Sequence, residues 1–411
     1  MGIVRALRCP NCAWESPSRT TFRCPACDTV LEIVAELKHL TRSDLLQIRK
    51  RQDQTIWRWF EFFPIEDRSA IVSLGEGYTP LVEPSRLREK LGLHRLYLKN
   101  DTVLPTGSLK DRTNAVGLSK ARELGFETVA VASTGNGAAS VAGYAAAAGL
   151  RSVIMVPIGT SSSKVVQARA YGATIVVLDG DFGQVVSLYR EAVKEFAWYD
   201  CLLGTYQNEG KKSYAYELFD QLGDQVPDWI IHPTAGGRGL YATWRGYKEL
   251  LELGWINRLP RLVAAQSEAA APIATSFEKG LADIEPVTPR HTIAESIRVG
   301  NPAASGRRAL EAIRSSQGSA VALSDDEILE AQSLLARLAG IFAEPAAAVS
   351  IAAACRLRQQ GMVGKEDLVV CMITGHGLKQ PSAIRISDAE LRAVAPNLSA
   401  LEKRLKEVGS L

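Results

Sequence analysis

The sequence predicts an α/β fold of two bodies built on open, mostly parallel sheets, with a small cysteine-rich arm at the N-terminus. Three observations carry this prediction. From residue 95 onward, short and continuously apolar strands alternate with helices, the pattern of parallel strands buried on both faces. Several of these strands end in glycine-containing turns that open helices, the place where ligands of such sheets gather. Four of the seven cysteines stand near the start as two C-x2-C pairs.

Composition bounds the rest. A chain of 411 residues with 46% hydrophobic content can bury two or three cores. The net charge is only +3, and the basic residues are scattered among acids, so no nucleic-acid partner is expected. No apolar run reaches about 18 residues, so no membrane span is expected. The first residues lack the apolar core of a secretory leader. An odd cysteine count with four clustered suits a metal site in a reducing compartment better than a disulfide framework, and a cytoplasmic location is the expectation.

Residues 1–35 form the arm. Cys9-Pro-Asn-Cys12 and Cys24-Pro-Ala-Cys27 are knuckles separated by eleven residues. Each turns tightly enough to aim two thiolates at one ion, and four thiolates close a tetrahedral zinc shell with no open position, a structural and zinc-ribbon-like site. The alternative is a short arm with free thiols. Residues 40–70 read as helical, with Leu45, Leu46, Ile48 and the aromatic run Trp57, Trp59, Phe60, Phe62 and Phe63 packing on the body. Strands follow at 96–98, 128–132, 152–156 and 174–178, with helices after Lys110 and over roughly 137–148. A second series has strands at 229–232, 261–265 and 368–373, with helices at 325–339 and 345–359 between the last two. The expected division is a large body over 36–99 and 205–411 and a small one over 100–204.

Four turns carry candidate chemistry. In Pro105-Thr106-Gly107-Ser108-Leu109-Lys110-Asp111-Arg112, a lysine begins a helix, where the helix dipole disfavours its charge and favours an amine nucleophile or Schiff-base lysine. A surface capping cluster is the competing reading of that turn taken alone. Ser133-Thr134-Gly135-Asn136-Gly137 offers hydroxyls and N–H groups to an anion such as an amino-acid carboxylate, or is an ordinary capped turn. Thr234-Ala235-Gly236-Gly237-Arg238-Gly239-Leu240 is a phosphate-type loop. Ile373-Thr374-Gly375-His376-Gly377-Leu378-Lys379 places a hydroxyl after the last strong strand. His376 is read as a structural hydrogen-bonder. One glycine-rich loop is weak evidence; three in strand–loop–helix context are stronger.

In this order the four motifs resemble the threonine synthase family of pyridoxal 5'-phosphate (PLP) enzymes, of fold type II and tryptophan-synthase-β-like. Leu74-Gly75-Glu76-Gly77-Tyr78-Thr79-Pro80-Leu81, Glu209-Gly210-Lys211-Lys212, Ile297-Arg298-Val299-Gly300-Asn301-Pro302 and Gly340-Ile341-Phe342-Ala343-Glu344-Pro345-Ala346 also match. Thr374-Gly375-His376-Gly377-Leu378-Lys379 is the most discriminating. The resemblance implies a two-domain lyase in amino-acid biosynthesis in which Lys110 carries PLP as a Schiff base and then shuttles protons. It implies that Asn136 bonds the PLP 3'-oxygen, that Gly236, Gly237, Arg238 and Gly239 hold its phosphate, and that Thr374 meets the pyridine nitrogen. Ser133, Thr134, Gly135 and Gly137 would receive the substrate carboxylate. Members of the family are often homodimers, and some relatives carry a similar cysteine arm.

The chain departs from the family pattern on the substrate side. Gly137-Ala138 stands where the family typically has Thr-Ser. Leu202 and Gln207 stand at the usual serine and arginine positions of the segment before Glu209, Leu104 replaces the Asn before Pro105, and Thr113 replaces the Gly after Arg112. Gln for Arg removes a charge-assisted phosphate donor. Lys211, Lys212, Lys164 or Arg112 would then have to serve a substrate phosphate. The expected reaction is elimination and replacement at the β/γ carbon of an activated amino acid, by resemblance O-phosphohomoserine to threonine. The competing readings are a diverged replacement synthase, such as a cysteate synthase using phosphoserine and sulfite, a simple dehydratase, and a non-enzymatic scaffold. The C-terminal motif disfavours the dehydratase; the lysine and glycine loops disfavour the scaffold.

Overall fold

The computed structural model describes residues 4–202, 204–384, 386–387 and 390–409. The chain forms two compact units, Met1–Lys379 and Gln380–Leu411. The second holds a short 3-10 turn, Pro381–Ala383, and a helix, Leu398–Glu407, capped by the Asn397 side chain and with no buried residue.

The first unit contains three sheets. In the arm, β1 (Val4–Arg8), β2 (Glu15–Ser16) and β3 (Glu32–Ala35) are antiparallel in the order β2-β1-β3. The largest sheet is built from β4 (Leu81–Val82), β5 (Arg95–Asn100), β10 (Trp229–Pro233), β11 (Arg261–Ser267), β12 (Ser319–Leu323) and β13 (Leu368–Ile373), in the order β12-β11-β10-β13-β5-β4. Only the short β4 runs antiparallel to its neighbour. The third sheet is wholly parallel, with β6 (Thr128–Ala132), β7 (Arg151–Pro157), β8 (Thr174–Leu178) and β9 (Tyr199–Asp200) in the order β8-β7-β6-β9.

The strands predicted from continuous apolar runs are present, and β13 is buried along its whole length. Helix Pro345–Gln359 packs against β10 and β13 and is apolar almost all round because it is enclosed by the body. Two expectations need correction. β12, which follows β11 and precedes β13 in the chain and pairs with β11 at the sheet's edge, is not among the expected strands; Ser-Ala-Val-Ala-Leu is a half-buried edge strand with little apolar signal. Residues 40–70 are not continuously helical: helix Arg42–Arg49 is followed by an extended stretch and then the 3-10 segment Ile56–Phe62. The break is local, since Asp53 Oδ1 accepts from both the backbone N–H (2.8 Å) and the hydroxyl (2.7 Å) of Thr55, which caps the next turn. The aromatic run does pack inward, with Trp59, Phe62 and Phe63 against Tyr216, and Phe62 against Trp255. Among the described residues, no helix is long and apolar enough to cross a membrane.

Candidate active site

β5, β13 and β10 are parallel neighbours, so the turns after them leave the same edge of the large sheet. The turn after β5 leads to helix Lys110–Glu123. It is stitched to the turn after β13: Leu109 N–H donates to Thr374 O (2.9 Å) and His376 N–H to Gly107 O (2.9 Å). These two bonds bring Thr374 beside the start of the Lys110 helix. The turn after β10 opens helix Arg238–Glu252. Gly237 has φ +86°, and a Cβ there would sit 2.5 Å from Ala309 Cβ; one on Gly239 would sit 2.6 Å from the His232 ring. Only glycine fits at these two positions, and the bare backbone leaves the first-turn N–H groups open to an anion.

The fourth turn comes from the small sheet. Ser133–Gly137 follows β6, is half-buried throughout and opens helix Asn136–Ala148 with no side-chain cap. Asn136 Nδ2 donates to both oxygens of Glu344, at 2.9 and 3.2 Å. Glu344 in turn is tied to the Thr374 segment, donating its N–H to Gly375 O at 3.0 Å. The four motifs singled out in the sequence therefore converge around Lys110.

The electrostatics are unusual. No hydrogen bond or ion pair joins Lys110 Nζ to another described residue, and burial, then Arg238, lower its pKa against the opposing pull of Glu344. Glu344 is 2% exposed. Burial pushes its carboxyl up to about 7, despite the hydrogen bonds from Asn136 and Ser296. Arg238 is lowered to about 10 by burial, and its Nη1 donates to Leu202 O at 2.8 Å. His232 lies under the loop with Nδ1 2.9 Å from Pro233 O. A carbonyl only accepts, so Nδ1 carries the hydrogen and Nε2 is a bare acceptor, without a partner among the described residues. Burial lowers this imidazole to about 4.

A partly buried, unpaired amine, a glycine cradle with no room for a Cβ, and nearby cationic charge together fit a phosphate-bearing aldehyde. These residues would hold PLP, with Lys110 as the amine it condenses with and the loop Gly236–Gly239 at its phosphate.

The four cations considered as substitute phosphate donors have different fates. Arg112 is fully buried and committed: it donates to Asp101 (2.9 and 3.0 Å), to Ser213 (2.7 Å), to Thr79 (3.0 Å) and to Glu217, which also takes Lys99 at 2.7 Å. Lys212 is equally committed, to Glu209 (2.8 Å) and Glu249 (2.7 Å). Neither is available to a ligand, which corrects that expectation. Lys164 is a surface residue paired with Glu295. Lys211 is buried and pairs with no described residue. Gln207 turns into the interior, where its Cγ fills the space a Gly117 side chain would need. Leu202 is half-buried; Leu203 lies outside the described residues.

Glu344 and His232 are the residues of this site to which sequence reasoning gave no role. Glu344 had a signal, since an acid directly before a helix-opening proline in Gly340–Ala346 stands at a helix N-terminus without capping it. His232 had none, because its ring is defined by Gly239 packing on it. Glu76 of the Leu74–Leu81 motif is a buried lock, accepting from the Tyr144 hydroxyl at 2.7 Å and from Leu74 N–H at 2.8 Å.

In the arm the two knuckles repeat one geometry. Cys9 N–H donates to Trp14 O and Ala13 N–H to Cys9 O; Cys24 N–H donates to Thr29 O and Asp28 N–H to Cys24 O. Ala13 and Asp28 both adopt positive φ, 58° and 51°. The four sulfurs lie within 4.8 Å of one another, with Cys9–Cys27 and Cys12–Cys24 at 3.5 Å. Tetrahedral zinc with bonds of about 2.3 Å would set its sulfurs about 3.8 Å apart, so the cluster fits that ion.

The pyridoxal-phosphate dependent enzyme family matches residues 72–375. The chain is 40% identical to a threonine synthase of Methanocaldococcus jannaschii over 387 residues, covering 93% of this chain and 95% of that one. It is 37% identical to a threonine synthase of Methanosarcina acetivorans over 97% of this chain and 98% of that one. Among solved structures, maize serine racemase has a TM-score of 0.63 at 21% identity, covering 80% of this chain and 93% of its own. The processed form of threonine deaminase isoform 2 from Solanum lycopersicum has 0.64 at 19%, covering 80% and 88%. These two share the fold. The chain belongs to the pyridoxal-phosphate dependent enzymes, and within them to the threonine synthase family of lyases.

Proposed function

We propose that the chain binds PLP at Lys110 and converts O-phosphohomoserine to threonine, releasing phosphate and adding water at Cβ. The observation that carries this reading is Lys110: an amine with no hydrogen bond or ion pair to a described residue, opening a helix at the sheet edge in a chain 40% identical to a threonine synthase. When bound, the cofactor's ring supplies the electron sink for charge developing on the substrate. Lys110, its pKa depressed by burial and Arg238, is poised to take and return protons at the substrate carbons. Thr374 offers its hydroxyl to the pyridine nitrogen and Asn136 its amide to the 3'-oxygen. Gly236, Gly237, Arg238 and Gly239 hold the cofactor phosphate. Ser133, Thr134, Gly135 and Gly137 receive the substrate carboxylate through hydroxyls and first-turn N–H groups.

The four cysteines, Cys9, Cys12, Cys24 and Cys27, hold a structural zinc ion in the proposal, and a cytoplasmic homodimer is its setting. A second reading, replacement on another activated amino acid such as phosphoserine with sulfite, is favoured by one observation: Gln207, at the family's arginine position, is turned into the protein interior. Purified enzyme should show the absorbance of a PLP–lysine linkage, absent from Lys110→Ala; a wild-type protein that takes up no PLP would sink the reading. Phosphate release from O-phosphohomoserine, set against phosphoserine with and without sulfite, separates the two substrates. Inertness towards phosphohomoserine with turnover of phosphoserine would transfer the function to the second reading.

A further inference from the structure

We propose that Lys211 is the ammonium partner of the cofactor phosphate, completing with the loop Gly236–Gly239 an anion site at the start of helix Arg238–Glu252; this rests on the PLP reading above. Lys211 belongs to the 3-10 segment Tyr206–Lys212, which is wedged between two helices. On one side Gly210 presses against helix Lys110–Glu123, so closely that a Cβ there would sit 1.8 Å from Arg112 O. On the other side Glu209 pairs with Arg245 at 2.5 Å and Lys212 with Glu249 at 2.7 Å, both partners on helix Arg238–Glu252. The backbone of the segment is thus pinned to both helices whose first turns form the site.

Its three charged residues are treated unequally. Glu209 and Lys212 are buried and mutually paired. Lys211 is 6% exposed and has no hydrogen bond or ion pair with any described residue. Its charged neighbours are the cations Lys110 and Arg238, which together with burial hold its pKa well below the ordinary lysine range. His232, under the phosphate loop, also feels Lys211. A buried ammonium beside two other cations is costly unless an anion joins it. Arg238 and His232 bound the loop that follows β10, and the segment that carries Lys211 packs on the helix this loop opens. Asn136 and the Ser133–Gly137 turn lie on the Glu344 side. A phosphate monoester dianion is the ligand chemistry that balances the cluster, and its place is that of the cofactor phosphate rather than a substrate phosphate.

The assignment makes an uncommon combination of outcomes. Removing Lys211 relieves the empty protein and weakens the loaded one. In Lys211→Met and Lys211→Gln, the apoenzyme should melt at a higher temperature than wild type. PLP titrated into the apoenzyme should bind roughly ten- to a hundredfold more weakly, the range for loss of a charge-assisted hydrogen bond. Pyridoxal, which lacks the phosphate, should bind wild type and variants alike. Inorganic phosphate should stabilise wild-type apoenzyme against heat and leave Lys211→Met unmoved. Lys211→Arg should keep most of the PLP affinity.

Unchanged PLP affinity in both variants overturns the assignment, and a raised KM for the phosphorylated substrate in its place moves Lys211 to the substrate. Equal weakening of PLP and pyridoxal, a lowered apoenzyme melting temperature, or failure of both variants to fold makes Lys211 a structural residue and overturns it too. Failure of wild type to bind PLP at all would instead remove the underlying reading, so the two failures are distinguishable.

Discussion

Replacing Glu344 by Gln tests the electrostatics of the site where the structure is most specific. The carboxyl is enclosed, accepts from Asn136 and Ser296, and ionises at about 7 in place of 4.5. The sign of its effect follows from proton counting. Between those two pH values the folded chain keeps a proton that the unfolded chain has released. Stability therefore falls as pH rises through this window and is lowest above about 7. By pH 8 the cost is on the order of 3 kcal/mol, at about 1.4 kcal/mol for each pH unit separating the two ionisations. Glu76 is likewise raised to about 7, by burial, and adds its own slope, so the informative quantity is the difference between wild type and variant. Gln keeps an oxygen to accept from Asn136 and cannot ionise. Urea unfolding of the two apoenzymes at pH 5 and pH 8 should show the variant losing less stability over that interval, by on the order of 3 kcal/mol. Because Glu344 also supports the charged form of Lys110, the variant should load PLP at lower pH than wild type. An identical pH dependence of stability in the two proteins would show that Glu344 is already ionised when folded, and the argument from burial would fail.

Two further perturbations probe the frame around that centre. Gly237→Ala forces a side chain onto a residue at φ +86° and into Ala309 Cβ at 2.5 Å; strain of about 1–2 kcal/mol and overpacking of about 1–3 kcal/mol should lower the melting temperature and weaken PLP binding together. An unshifted melting curve would refute it. In the arm, Cys9→Ser with Cys12→Ser should abolish the zinc content found by elemental analysis. It should also weaken PLP binding, since the arm props the Lys211 segment: the Tyr206 hydroxyl donates to Arg19 O at 3.0 Å, Thr205 Oγ1 to Phe22 O at 3.1 Å, and Phe22 packs edge-on to Tyr206. Full metal content in that variant would refute the four-cysteine site.

What the sequence made legible, and what it did not, divides along a physical line. Buried parallel strands must be apolar along their length, so β6, β10 and β13 announce themselves; β12 does not, because an edge strand of small residues needs no such run. Backbone-defined features were equally plain. Lys110 opens a helix, and Gly237 and Gly239 leave space that no other residue could leave, and both requirements are written in residue type. The partnering of charges was not legible. Arg112, Lys211 and Lys212 are three cations in matched motifs, indistinguishable as letters. Three-dimensional packing gives Arg112 two carboxylates, gives Lys212 two more, and gives Lys211 none among the described residues. Long-range pairing across more than a hundred residues, such as Arg112 with Glu217, has no local signature, yet it decides which charge is structural and which is left for a ligand. The same holds for the change from arginine to Gln207. Its meaning lies less in the lost charge than in where the amide goes, across Gly117 and into the interior. The cationic charge near Lys110 is therefore concentrated at Lys211, on the 3-10 segment Tyr206–Lys212, and at Arg238, after β10, while the Gln207 position contributes none.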